Sequence, residues 1–118
     1  MQDFKKLIVW QKSHQLTLEI YKLTGEFPKQ EAFGLTSQMR RAAASVPTNI
    51  AEGSGRGTSS ELARFLDIAS GSICELEYQL ILAHDLKYIA LSSYEKIDND
   101  LQEVKRMLAG FIRTIRSS

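Results

Sequence analysis

One cysteine, two prolines, two histidines and one tryptophan in 118 residues exclude a good deal at once. A lone Cys74 allows no internal disulfide, so a reducing compartment and a cytoplasmic location are expected. Long hydrophobic runs are missing. None approaches the ~20 residues of a membrane-spanning helix, and the opening MQDFKKLIVW is too short in its apolar part for a signal h-region, so no membrane partner is expected. An excess of one charge is also missing: fifteen Lys and Arg meet fourteen Asp and Glu, a net charge of +1. That near-neutrality gives no global argument for a polyanionic partner; such binding has to come from a local patch or from assembly. Strand-like alternation, internal repeats and low-complexity tails are absent as well. The length fits one domain over residues 1–118 with a single core, and 43% apolar with 25% charged residues is ordinary globular composition.

What is present is helical periodicity, four times over. Leu7 to Thr24 forms a first amphipathic segment, with Leu7, Trp10, His14, Leu18 and Tyr21 as its main stripe and Val9, Leu16, Ile20 and Leu23 widening it. Asp3 is placed to cap an early turn, and Gly25 follows where a left-handed C-cap residue is expected. Pro28 breaks the pattern, and Phe27 and Phe33 are expected to tuck this connection onto the core. Leu35 to Arg56 is the segment around which the chain is organised. Leu35, Met39, Ala42, Val46, Ile50 and Gly53 fall on one side at about 100° per residue. Gln38, Arg41, Ser45, Asn49, Glu52 and Arg56 form an adjacent polar stripe. Thr36 or Ser37 is the expected cap. Pro47 lies well inside, so a kink near Ala43 to Pro47 is expected within one continuous helix. Ala42 to Ser45 leave little bulk and permit close approach of a neighbouring helix.

GSGRG, at 53–57, is the clearest break. Thr58 and Glu61 then have capping-box spacing. The third segment runs to about Lys87 with Leu62, Phe65, Ala69, Ile73, Leu76, Leu80 and Ala83 as its stripe. Gly71 in its middle is explained by close packing of another helix. A second capping-box spacing, Ser92 to Glu95, opens the last segment, whose Tyr94, Ile97, Leu101, Val104, Leu108, Phe111 and Ile115 alternate by three and four as in a coiled-coil-like seam. Four helices with short links predict an all-α, antiparallel, up-down-up-down four-helix bundle. Trp10, Tyr21, Met39, Val46, Ile50, Phe65, Leu76, Leu80, Leu101, Leu108 and Phe111 should be mostly buried.

Chemistry is harder to find. His14 and His84 are the only histidines, and Cys74 lies about 15 Å from His84 on one helix, so the two cannot share an ion; core or surface histidines and an inert, partly buried thiol are the favoured readings. GSGRG lacks a preceding strand and a Lys-Ser/Thr signature, which favours a linker over a nucleotide loop. A carboxylate cluster of Glu52, Glu61 and Glu75 lacks the Glu-x-x-His pairs of di-iron bundles. No nucleophile–base pair stands at usable spacing. The expectation is therefore no enzyme, no catalytic residues, no metal, no cofactor and no small-molecule substrate; a metal-dependent enzyme in the bundle core is the disfavoured alternative. The second-segment stripe reads as a structural polar network of Gln38, Arg41, Asn49, Glu52, Glu75 and Glu77, with Arg41 paired to Glu75 or Glu77. A solvated face and a subunit contact are the other readings.

Several short blocks together carry a family likeness: Val9-Trp10-Gln11-Lys12, Phe27-Pro28, Gly34 to Gln38, Arg40-Arg41-Ala42, Pro47-x-Asn49-Ile50-Ala51-Glu52-Gly53, and Gly71-Ser72 with Glu75-x-Glu77. From Phe4 to the last helix the chain resembles the four-helix-bundle proteins encoded in intervening sequences of large-subunit (23S) ribosomal RNA genes. That family has no agreed enzymatic activity. More remotely it is similar to accessory proteins of diversity-generating retroelements, which assemble as pentamers and bind nucleic acid. The resemblance implies a homo-oligomer, a pentamer on the more remote likeness, that acts as an RNA- or DNA-binding accessory or scaffold. Lys5, Lys6, Lys12, Arg40, Arg113 and Arg116 are the expected nucleic-acid contacts, repeated around a ring. A protein–protein interaction module without nucleic acid is the alternative.

Overall fold

The structure, a computed structural model, describes residues 3–117. Four helices carry it: α1 (Ile8–Thr24), α2 (Leu35–Ser54), α3 (Ser59–Asp85) and α4 (Leu91–Ser117), with 3₁₀ turns at Phe4–Lys6 and Lys29–Glu31. No strand occurs among the described residues. Each cross-helix contact pairs a rising number with a falling one. Thr17 meets Ala43 between α1 and α2. Ser45 meets Ser72 between α2 and α3, and Glu77 meets Gln102 and Lys105 between α3 and α4. Glu19 meets Lys96 and Lys12 meets Glu103 between α1 and α4. All four neighbouring pairs are therefore antiparallel. Helix α1 packs on α2 and α4 but not on α3, so α1 and α3 stand on opposite corners of an up-down-up-down bundle.

The stripes of α2, α3 and α4 fall where the periodicity places them. Met39, Val46 and Ile50 of α2, every expected stripe residue of α3, and Ile97, Leu101, Val104 and Leu108 of α4 are buried. Helix α1 differs. Its core face is Val9, Ser13, Leu16, Thr17, Ile20 and Thr24, whereas Leu18 is 50% and Tyr21 46% exposed. The two apolar stripes of α1 lie about 120° apart on the wheel, and the one with the larger side chains is turned outward. Trp10 and Phe111 are half-buried rather than buried. In the α1–α2 connection Phe27 is buried, but Phe33 is fully exposed.

Three polar core positions on α1 have a shared reason. A hydroxyl can return its proton to the carbonyl one turn back, and Thr17 does so to the Ser13 carbonyl at 2.8 Å and Thr24 to that of Ile20 at 2.7 Å. Ser13 donates to the Trp10 carbonyl at 2.9 Å. Thr17 does more. Pro47 sits inside α2 and has no N–H to offer the Ala43 carbonyl. The Thr17 hydroxyl approaches that carbonyl at 3.1 Å across the helix interface. Helix α2 is continuous through Pro47, as expected, because a neighbouring side chain supplies the donor that proline lacks.

The helix ends depart from the sequence expectations in detail. Gly25 has φ −62°, right-handed. Helix α2 is capped by the Glu31 carboxylate, which accepts from the Leu35 N–H at 3.1 Å, not by Thr36 or Ser37. Thr58 caps α3 by accepting from the Glu61 N–H at 3.2 Å, and its hydroxyl donates to the Glu61 carboxylate at 3.2 Å. Helix α4 begins at Leu91, before the Ser92–Glu95 spacing, and α3 ends in a Schellman turn. Lys87 takes a left-handed φ of 67°, with Tyr88 N–H on the Ala83 carbonyl and Lys87 N–H on the His84 carbonyl, both at 2.9 Å. Gly53 marks the tight α2–α3 crossing, where an added Cβ would lie 2.9 Å from the Phe65 Cβ. Gly71 does not: it is exposed, and a Cβ there would meet nothing within 4 Å.

Candidate nucleic-acid interface

The antiparallel order brings the start of α1, the α2–α3 turn and the end of α4 to the same end of a bundle 45 Å long. Residues 3–17, 44–73 and 103–117, which make up that end, hold nine Lys and Arg against five Asp and Glu. The opposite end holds six against nine. The near-neutral chain is therefore bipolar, about +4 at one end and −3 at the other. Charge separation of this kind concentrates positive potential where the total charge gives none.

Five of the six expected nucleic-acid contacts lie at the basic end. Lys5 and Lys6 are exposed on the first 3₁₀ turn, whose cap Asp3 accepts from the Lys5 N–H at 3.1 Å. Arg113 is exposed on the last turns of α4. Lys12 is held by Glu103 at 3.1 Å, and Arg116 grips Asp67 with both ends of its guanidinium. That hydrogen-bonded grip holds the Asp67 carboxyl below its usual range and the Arg116 guanidinium above its own. Arg40 is at the other end. Its guanidinium donates to Thr24 Oγ1 at 2.8 Å and to the Tyr21 carbonyl at 3.1 Å, and it lies 4.8 Å over the Tyr21 ring. It ties α2 to α1. Sequence reasoning missed Arg56, Arg64 and Arg106 at the basic end. Arg56 and Arg64 flank the Phe65 ring at 4.9 and 5.4 Å. Counting charge per helix half rather than per chain is the signal that finds them.

The expected polar network forms only in part. Asn49 donates to the Ser45 carbonyl at 2.8 Å and to its hydroxyl at 3.0 Å, and Ser45 meets the Ser72 hydroxyl at 2.8 Å. Arg41 is exposed and forms no ion pair with the described residues; its pairing with Glu75 or Glu77 is not formed. Glu75 lines the same cleft as Arg41 without coming within ion-pair distance, and Glu77, two residues on, points about 160° away from it. Glu77 faces α4, where Lys105 at 2.9 Å and Gln102 at 2.6 Å hold its carboxyl below the usual range. Among the described residues Glu75 accepts from Gln79, at 3.4 Å. Glu52 pairs with Arg56 one turn on, at 3.0 Å, and Gln38 is adjacent to Arg41 along the same face.

The histidines are packed as rings. His14 stacks on Trp10 at 5.1 Å and His84 on Tyr94 at 4.7 Å. Cys74 is exposed rather than partly buried. Among the described residues no three His, Cys, Asp or Glu side chains converge as a metal site, and no helix is long and apolar enough to cross a membrane.

The fold has a solved counterpart. A protein of unknown function from the S23 ribosomal protein family of Bacteroides thetaiotaomicron matches with a TM-score of 0.84 at 28% identity, over 90% of this chain and 96% of that one. Comparison with curated proteins found no match. The family model for the 23S rRNA-intervening sequence protein matches residues 5–110. With that span matched and the same bundle in the solved relative, the chain belongs to the 23S rRNA-intervening sequence protein family.

Proposed function

We propose that this protein is a non-enzymatic, homo-oligomeric scaffold that binds RNA or DNA phosphates through the basic end of its bundle. The observation that carries the proposal is the separation of nine cations from nine anions between the two ends. Lys5, Lys6, Arg64, Arg106 and Arg113 form no ion pair with the described residues, so their charge is open to phosphate. A single copy offers few such contacts and binds weakly. Repetition in an assembly multiplies them, and linked weak contacts raise affinity steeply. Arg40 is not among the contacts, because it is spent on Thr24 and Tyr21. The family's association with an rRNA gene supports a polyanionic partner.

The test is a salt series of RNA and DNA binding with light scattering on the same samples. An oligomer whose affinity falls linearly in log–log form is expected, with a slope of about 0.7–0.9 per phosphate contact. Lys6→Glu, Arg106→Glu and Arg113→Glu together should abolish binding, while Lys22→Glu with Lys29→Glu at the acidic end should leave it unchanged. Equal effects of the two sets would refute the placement. An assembly without salt-dependent binding would leave a protein–protein interaction module.

A further inference from the structure

We propose that the cleft between α2 and α3 binds a small α-amino acid, with its carboxylate on Arg41 and its ammonium on Glu75. The site lies apart from the basic end and is independent of the nucleic-acid reading.

Sequence and register build the cleft. The polar stripe of α2 sets Gln38, Arg41 and Ser45 along one edge at spacings of three and four. Helix α3 sets Ser72, Glu75 and Gln79 along the facing edge at the same spacings. The Ser45–Ser72 contact fixes the antiparallel register. Ala42 is then level with Glu75, and Gln38 with Gln79. Ala42 is buried, and its short side chain leaves a hollow of about 180 Å³ between the two edges. A water occupies about 30 Å³ in the liquid, so the hollow has room for about six waters, or for one small organic molecule.

Groups of both signs are short of partners there. Arg41 and Glu75 both line the cleft yet form no ion pair with each other or with any other described residue. The Ser45 and Ser72 hydroxyls share one hydrogen bond at 2.8 Å, and Asn49 donates to Ser45 at 3.0 Å. One of the two hydroxyl protons is therefore left for a further acceptor. Gln79 is 4% exposed, and its buried Oε1 has no hydrogen-bond partner. A buried acceptor without a donor is costly. The other end of that amide, Nε2, donates to the Glu75 carboxylate at 3.4 Å, so the unpartnered oxygen lies beside Glu75.

These needs divide by sign. The Arg41 guanidinium and the spare hydroxyl proton are donors, which a carboxylate accepts, the guanidinium in bidentate fashion. The Glu75 carboxylate and the Gln79 carbonyl are acceptors, which an ammonium serves with its several protons. A ligand of one charge answers half of them. Closure of Arg41 directly on Glu75 leaves the Gln79 carbonyl and the hydroxyl proton unmet. An α-amino acid carries both charged groups on one carbon and fits the size of the hollow.

Thermal melts and isothermal titration calorimetry test the site with glycine, alanine, serine and valine against the one-ended probes acetate, methylamine and inorganic phosphate at equal ionic strength. A ligand that binds only the folded chain raises its Tm with concentration. At least one of the amino acids should bind one per chain and raise Tm, and no one-ended probe should match it. Arg41→Gln and Glu75→Gln, both at exposed positions, should keep the wild-type helicity and ligand-free Tm, and each should weaken amino-acid binding by about tenfold or more. Lys22→Gln on α1 should bind as the wild type does. Acetate or phosphate protecting as well as the amino acids would reduce the site to an anion contact and overturn the proposal. Amino acids without effect overturn it, as do Arg41→Gln and Glu75→Gln variants that bind like wild type. A ligand-free Tm lowered equally by each single substitution and by the two together would show that Arg41 and Glu75 pair directly, and that also overturns it.

Discussion

Thr17 and Pro47 form a coupled pair, and removing the hydroxyl tests why α2 tolerates its proline. Thr17→Val keeps the shape of the side chain and deletes the donor that reaches the Ala43 carbonyl at 3.1 Å. The Ser13 carbonyl, which shares that proton at 2.8 Å, still has the backbone N–H of position 17. The Ala43 carbonyl has no second donor from Pro47. A buried acceptor left unpaired costs about 1–3 kcal/mol, and the added methyl returns up to ~0.8 kcal/mol of burial. The net expectation is a loss of about 1–2 kcal/mol, or roughly 4–8 °C in Tm for a chain of this length. Thermal melts by circular dichroism measure it. The control is Pro47→Ala, which restores an N–H to position 47. In that background Thr17→Val should cost less than about 0.5 kcal/mol, a coupling of about 1 kcal/mol between positions whose bonded groups are 26 residues apart. Equal losses in both backgrounds would show that the hydroxyl does not substitute for the missing donor.

Two further perturbations follow from distances on the page. Gly53→Ala places a Cβ 2.9 Å from that of Phe65 and should destabilise by about 1–2 kcal/mol through overpacking; Gly71→Ala, with open space around it, should stabilise by about 0.5–1 kcal/mol, and the opposite order in thermal melts would contradict the helix spacing. Glu77→Gln should cost about 0.5–1 kcal/mol near neutral pH, discounted for partial exposure. Lys105 and then Gln102 hold the Glu77 carboxyl below its ordinary value of 4.5, so its contribution is full above that value and is lost as pH falls through the lower folded value. Melts of Glu77→Gln and wild type should converge in acid, and a constant gap down to the lowest pH refutes the ion-pair origin.

Much of the bundle was legible because three helices have one dominant apolar stripe each. With one dominant stripe there is one favoured way to turn the helix, and α2, α3 and α4 turn that way. Helix ends were less legible, since caps depend on residues outside the pattern: Glu31 reaches forward from a 3₁₀ turn, and Lys87 takes a left-handed conformation that composition assigns to glycine. Among the candidate site residues, the basic ones at the chain ends were legible and Arg40 was not. Which end a cation occupies follows from the topology, but what it is bonded to depends on a neighbour 16 residues away.

Helix α1 carries a different lesson. Two stripes compete on it: the aromatic one has the larger side chains, and Val9, Leu16, Ile20 and Leu23 have the greater hydropathy. The fold buries the aliphatic face, and that face also carries Thr17 to the Ala43 carbonyl. Turning Thr17 inward also buries Ser13 and Thr24, whose hydroxyls return their protons to their own helix. The same rotation carries Leu18 and Tyr21 outward beside Phe33. The proline inside α2 and the exposed aromatic ring of α1 lie on opposite sides of one helix rotation: the turn that brings Thr17 to the Ala43 carbonyl takes Tyr21 to the surface.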